Sequence, residues 1–271
     1  MSKVPTVTLN DGTEMPQLGF GVWQVPDGEA PAVVMAALES GYRKIDTASA
    51  YYNEMGTGKG IAASGIPRDQ IFVTTKVWNA DHGYDSTLRA FDESLEKLGL
   101  DYVDLYLIHW PVPVKDQYVE TYKALERIHA GGQARSIGVS NFLREHLDRL
   151  AEAANVVPAV NQIELHPRHQ RAEERALHAE RGIITEAWSP LGSGRGLLDS
   201  PAIAQIARKH GRSCAQAVLR WHLQLGHVVI PKSADPERIA ENIDIFDFAL
   251  DEDDMAAFAA LEEAKPWGKP K

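Results

Sequence analysis

Eight short apolar or β-branched runs recur along this chain, separated by stretches long enough for helices. They are Gly19 to Val22, Lys44 to Asp46, Ile71 to Lys76, Val103 to His109, Ser136 to Val139, Ala159 to Gln162, Ile183 to Trp188 and Val228 to Pro231. Between them Ala32 to Glu39, Ser86 to Leu98, Tyr118 to His129, Glu145 to Ala154 and Ser213 to Gln224 repeat apolar residues at spacings of three and four, the period of a helix with one buried face. Eight strands with intervening helices in 271 residues predict one α/β domain, residues 1–271, folded as a (β/α)8 TIM barrel. A doubly wound sheet usually needs fewer strands. A dinucleotide-binding version would also place G-x-G-x-x-G after its first strand, and Gly19-Phe20-Gly21-Val22-Trp23-Gln24 lacks the third glycine and a helix start. Ahead of the first run, Val7-Thr8-Leu9 and Glu14-Met15 flank Asn10-Asp11-Gly12, the signal of an N-terminal β-hairpin.

A hydrophobic content of 44% supplies a full core, and no linker or low-complexity tract divides the chain. The net charge of -10 repels nucleic acid and anionic membrane, so neither is expected as a partner. A phosphorylated ligand would need a local basic cluster. No run approaches the roughly 18 apolar residues of a membrane span, and Met1 to Thr6 carries no apolar leader, so a cytoplasmic protein is expected. Cys214 is the only cysteine, which excludes an intrachain disulfide; its apolar helical surroundings predict a buried packing residue. Ten histidines are present without H-x-H or H-E-x-x-H spacing, which argues against a metal site and against a metal-dependent hydrolase on this barrel.

Barrels of this kind gather their chemistry at the C-terminal ends of the strands. Asp46 closes one apolar run, Lys76 the next and His109 the one after, and Tyr51 follows Asp46 by five residues. Alone, Asp46 serves equally as a loop cap, Lys76 as a rim charge and His109 as a barrel histidine. Together they fit proton donation to a carbonyl oxygen that gains negative charge as hydride reaches the carbon. A phenol titrates near 10, too high for an easy donor, and a neighbouring ammonium favours its ionised form. On this reading Asp46 holds Lys76, Lys76 lowers the Tyr51 pKa, and His109 orients the carbonyl oxygen.

Gly41-Tyr42-Arg43-Lys44-Ile45-Asp46-Thr47-Ala48, followed by Tyr51 and Asn53-Glu54, resembles the first signature of the aldo-keto reductase family. Arg135-Ser136-Ile137-Gly138-Val139-Ser140-Asn141-Phe142 resembles its central signature, and Ile230-Pro231-Lys232-Ser233 with Arg238 and Glu241-Asn242 its C-terminal one. The likeness runs almost end to end. It is strongest to the bacterial 2,5-diketo-D-gluconate reductases, notably through Val157-Pro158-Ala159-Val160-Asn161-Gln162-Ile163-Glu164-Leu165-His166-Pro167. It implies NADPH-dependent reduction of aldehydes and ketones by a monomer, with Asp46, Tyr51, Lys76 and His109 as the catalytic tetrad. A barrel that binds NADPH as a sensor or partner subunit with little turnover is the alternative.

The resemblance also implies where NADPH/NADP+ sits. Ser140, Asn141 and Gln162 match positions that bond the nicotinamide carboxamide, and Trp188 the ring that stacks on the nicotinamide. Ser189, Leu191, Gly192 and Ser193 belong to a small-residue loop suited to a pyrophosphate. Lys232, Ser233 and Arg238, with Glu241 and Asn242 beyond, supply the basic cluster, and Asp235-Pro236 reads as a helix start whose amides would face a 2′-phosphate. Asp235 itself departs from the basic residue of close relatives, which predicts a weaker preference for NADPH over NADH. Trp23, Trp78 and Trp110 follow strand ends and predict an aromatic substrate pocket, whose mouth Tyr52 narrows in place of a glycine. Trp221 is expected in the core. A short tail from Glu262, carrying Trp267, predicts an open pocket and small polar carbonyl substrates such as dicarbonyls or keto-sugars.

Overall fold

The computed structural model describes residues 4–263. An antiparallel hairpin, β1 (Thr6–Thr8) and β2 (Glu14–Pro16), precedes a parallel eight-stranded sheet. Its strands are β3 (Phe20–Gly21), β4 (Lys44–Asp46), β5 (Phe72–Val77), β6 (Val103–Ile108), β7 (Ala134–Ser140), β8 (Val160–Glu164), β9 (Ile184–Trp188) and β10 (Val228–Val229), neighbours in that order. The two edges meet. Leu18 bridges to Val229 in parallel, and the amides of Gly19 and Gly21 donate to the carbonyls of Val229 and Pro231 over 2.8 and 3.1 Å. The sheet is thereby closed and leaves no unpaired edge. All eight runs form strands, and the hairpin pairs with Val7 opposite Met15.

The helices are α1 (Ala30–Glu39), α2 (Glu54–Ala63), α3 (Tyr84–Leu98), α4 (Tyr118–Ala130), α5 (Arg144–Ala153), α6 (Ala172–Glu180), α7 (Pro201–Lys209), α8 (Cys214–Gln224), α9 (Pro236–Ile243) and α10 (Glu252–Ala259). The strongly periodic segments fall on α1, α3, α4, α5 and α8. In α2 the glycines replace an apolar stripe: a Cβ on Gly58 would lie 2.0 Å from the Leu98 carbonyl, so close helix contact takes the place of side-chain packing. Trp221 is in the core as expected. Cys214 opens α8 and is only half-buried, because the first turn of a helix sits at the rim of its packing face.

Leu9 and Met15 of the hairpin pack on Phe72, Leu105, Leu107, Ala159, Val160 and Val228 inside the strand starts. The hairpin therefore plugs the N-terminal mouth of the barrel. At the C-terminal mouth, polar residues face a cavity. Among the described residues no helix is long and apolar enough to cross a membrane.

Candidate active site

A cavity of about 700 Å³ opens at the C-terminal mouth. Strand ends set polar groups in the cavity wall or, for Lys76, directly behind it. Asp46 ends β4, Lys76 lies one residue before the end of β5, His109 follows β6, Ser140 ends β7, Gln162 lies within β8 and Trp188 ends β9. Tyr51 ends a short 3-10 turn, Ser49–Tyr51, tied down by a bond from Ser49 Oγ to the Lys76 carbonyl at 2.9 Å.

The four residues expected to act together converge. Lys76 Nζ donates to Asp46 Oδ1 at 2.6 Å and to the Thr47 carbonyl at 2.9 Å, and it lies 5.1 Å from the centre of the Tyr51 ring. The Tyr51 ring meets that of His109 edge to face, with centroids 5.6 Å apart. The lowering of the Tyr51 pKa expected from Lys76 is not the net result. Burial raises the phenol, and the ammonium only opposes that rise. Burial also works against the Lys76 ammonium, but Asp46 and Tyr51 beside it hold its pKa above the ordinary value. His109 is pushed well below its usual range by burial and by Lys76, so its imidazole is neutral at pH 7. Among the described residues its Nδ1 is buried without a partner, which leaves Nε2 as the ring nitrogen able to serve the cavity.

Ser140, Asn141 and Trp188 bond to one another. Trp188 Nε1 donates to Asn141 Oδ1 at 2.9 Å, and Asn141 Nδ2 donates to the His109 carbonyl and to Ser140 Oγ, both at 3.0 Å. An indole N–H only donates, so this bond fixes the Asn141 amide. Ser140 Oγ donates in turn to the Gln162 carbonyl at 2.8 Å. Gln162 Nε2 is bonded inward to Asp46 Oδ2 at 2.8 Å and to Glu186 Oε2 at 2.9 Å, so the side-chain oxygen Oε1 is the polar atom left for the cavity.

Trp23, Tyr52, Trp78 and Trp110 all line the cavity, with Trp78 5.1 Å from the His109 ring centre. Tyr52 is 84% exposed at the rim with φ 55, the left-handed region in which glycine is unstrained. Ser189, Leu191 and Ser193 line the other end, with Ser193 Oγ donating to Ser189 Oγ at 2.5 Å. Gly192 does not face the cavity. A Cβ there would lie 2.8 Å from that of Leu197, so its need for glycine is inward packing. The loop is held by Arg195 Nη1 on Glu164 Oε1 at 2.9 Å.

Lys232 is exposed on the cavity wall and has no ion-pair partner among the described residues. Ser233 is buried beside it, while Arg238, Glu241 and Asn242 lie on α9 outside the cavity lining. The amides expected to face a phosphate are already engaged: those of Glu237 and Arg238 donate to Asp235 Oδ1 at 2.9 and 3.5 Å. Arg238 Nε also leans towards Asp235 Oδ2 at 3.8 Å. The tail from residue 264, with Trp267, lies outside the described residues.

Two residues beside the site do not stand out in the sequence. Lys44 Nζ and Glu186 Oε1 form a fully buried ion pair, 2.9 Å apart, in the barrel interior. A lysine and a glutamate inside apolar strand runs are the signal that should have marked them. Among the described residues no cluster of three or more His, Cys, Asp or Glu is placed to hold a metal.

The family model described as "Aldo/keto reductase family" matches residues 17–263. An aldo-keto reductase of Mycolicibacterium smegmatis is 56% identical over 264 residues, spanning 97% of this chain and 96% of that one. The crystal structure of an aldo/keto reductase from Brucella melitensis superposes with a TM-score of 0.94 at 55% identity, covering 97% of this chain and 99% of its own. A Gox0644 mutant in complex with NADPH superposes with a TM-score of 0.93 at 50% identity, covering 97% and 95%.

Proposed function

The chain belongs to the aldo/keto reductase family, and on that premise we propose that it reduces small aldehydes and ketones to alcohols with NADPH and Tyr51 as proton donor. The observation that carries the reading is the convergence of Asp46, Lys76, Tyr51 and His109 beside one open cavity.

The cavity suits the cofactor on its own chemistry. Gln162 offers an open acceptor, the Trp188 indole is held in place by Asn141, and Lys232 is a cation without an ion-pair partner among the described residues, on the wall of an acidic protein. Gln162, Asn141, Ser140 and Trp188 would hold the nicotinamide end, Ser189, Leu191 and Ser193 the middle, and Lys232, Ser233 and Arg238 the phosphate end. When bound, NADPH supplies the hydride.

The protein's own groups do the rest. The Tyr51 hydroxyl gives its proton to the carbonyl oxygen, and the Lys76 ammonium, fixed by Asp46, stabilises the phenolate that remains. Neutral His109 is no rival acid and is free to donate a hydrogen bond from Nε2 to the same oxygen. Trp23, Trp78 and Trp110 exclude water from the reacting carbon, which strengthens each of these interactions. Small polar carbonyl compounds, dicarbonyls and keto-sugars among them, are the first classes to screen. The enzyme is expected to act as a monomer, which size-exclusion chromatography checks.

NADPH oxidation followed at 340 nm over an aldehyde and keto-sugar panel tests the activity. Tyr51→Phe should bind NADPH as the parent does and lose nearly all turnover. A Tyr51→Phe protein with near-normal kcat removes Tyr51 from the role, and binding without turnover by the parent on every carbonyl defeats the reductase reading. A kcat/KM with NADH equal to that with NADPH defeats the cofactor preference.

A further inference from the structure

A second ion pair lies within the barrel alongside the Asp46–Lys76 pair. Lys44 Nζ is 2.9 Å from Glu186 Oε1, donates to Thr74 Oγ1 at 3.0 Å and lies 4.8 Å from the centre of the Phe72 ring. Gly19 makes room for it, since a Cβ there would come within 2.9 Å of Lys44 Cγ and Cδ. Desolvating two charges costs about as much as their attraction returns, so stability alone does not account for such a pair.

Its other end explains it better. Glu186 Oε2 accepts from Gln162 Nε2 at 2.9 Å, and the same nitrogen donates to Asp46 Oδ2 at 2.8 Å. An amide nitrogen carries two hydrogens, and here each carboxylate takes one. Carboxylates only accept, so a flipped amide would set the Gln162 oxygen against two negative groups. Gln162 and Glu186 are direct neighbours across β8 and β9, which fixes the geometry in the backbone.

We propose that Glu186, paired with Lys44, is a positioning residue that clamps the Gln162 amide together with Asp46, so that Gln162 Oε1 presents a fixed hydrogen-bond acceptor to the carboxamide N–H of the nicotinamide. The inference rests on the cofactor reading above. It ties the cofactor's orientation to the carboxylate that holds Lys76, so the hydride donor and the proton donor share an anchor.

Three ligands separate the possibilities when titrated calorimetrically: NADPH, its reduced 3-acetylpyridine analogue, which keeps the carbonyl but has no N–H, and 2′-phospho-ADP-ribose, which lacks the nicotinamide. The parent should bind NADPH about tenfold more tightly than the analogue, the worth of one good hydrogen bond. Lys44→Met with Glu186→Leu replaces the pair by apolar side chains of similar size. That protein should melt near the parent's Tm and keep its affinity for 2′-phospho-ADP-ribose. Its affinity for NADPH should fall about tenfold, erasing the advantage over the analogue. Lys44→Met with Glu186→Gln restores an acceptor and should restore the advantage.

Equal binding of NADPH and the analogue by the parent overturns the clamp, and that comparison stands even if the leucine variant fails to fold. An undiminished preference in the leucine variant, or no recovery in the glutamine variant, overturns it as well. In each of these cases the cofactor reading survives, whereas a parent that binds no NADPH removes both.

Discussion

The Lys76 ammonium lies 5.1 Å from the centre of the Tyr51 ring, close enough to favour the phenolate and yet outweighed by burial of the phenol. Tyr51 therefore stays protonated through neutral pH. On the proposed role of Tyr51, reduction uses the protonated phenol and alcohol oxidation the phenolate, so the two directions should respond to pH with opposite sign. The kcat/KM for reduction should stay level up to about pH 9 and fall only beyond the ordinary tyrosine range near 10, while oxidation climbs throughout. Lys76→Met removes the opposing influence, so oxidation should move to still higher pH and reduction should drop by roughly a hundredfold or more. Steady-state profiles in both directions check this, and a reduction limb falling between about pH 7 and 8 assigns the proton to another group.

Tyr52 sits at φ 55 on the rim and is 84% exposed, so it bears the cost of a left-handed backbone without burying its ring. That cost is about 1 kcal/mol, which a glycine avoids, although glycine also enlarges the entropy of the unfolded chain. Tyr52→Gly should leave stability unchanged or raise it by up to about 1 kcal/mol, and it should increase kcat/KM for bulky aldehydes while small ones are unaffected. Thermal melts and a size series of aldehydes decide. A Tm several degrees lower would show that the ring stabilises the rim by contacts of its own.

The barrel was legible because eight strand runs and five periodic helices carry their own pattern, and the convergence of four polar residues because Asp46, Lys76 and His109 each close such a run and Tyr51 follows the first by five residues. What stayed hidden depends on orientation rather than on composition. Gly192 has the small side chain of a phosphate loop, but its missing Cβ answers to Leu197. Asp235-Pro236 reads as a helix start in the sequence, and the fold adds that its carboxylate takes up two of the amides expected for a ligand. The net pKa of Tyr51 depends on a balance between burial and charge that no spacing encodes. Lys44 and Glu186 were written in plain sight as charges in apolar runs, and their meaning lies in a contact across the barrel.

Acid should unfold the protein through its buried histidines. Burial lowers His166 to about 4, aided by His169 and nearby arginines, and lowers His178 to about 4 and His227 to about 3. Unfolded histidine titrates near 6.5, so the unfolded chain takes up protons that the folded one refuses. Stability is thus whole above about pH 6.5 and is lost as pH falls towards about 4, at roughly 1.4 kcal/mol per unit for each such group. Melting curves should show Tm falling steadily across that window. A Tm that is level from about pH 7 to 4.5 would mean that these rings accept protons in place.

Asp235 bears directly on cofactor choice. Its carboxylate caps α9 by accepting from Glu237 N and Arg238 N, draws Arg238 to 3.8 Å, and adds a negative charge near Ser233 and Lys232, where a 2′-phosphate is expected. Asparagine keeps the cap, because its oxygen accepts the same amides, and removes the charge. Asp235→Asn should therefore melt close to the parent while its KM for NADPH falls by roughly two- to tenfold at low salt and less at high salt, as expected for one screened charge near a dianion. NADH carries no 2′-phosphate, so its KM should not move. An NADH KM that falls in step with that for NADPH would place the effect outside the phosphate site, and an NADPH KM that stays put would mean that Lys232 and Ser233 bind the phosphate beyond the reach of the Asp235 charge.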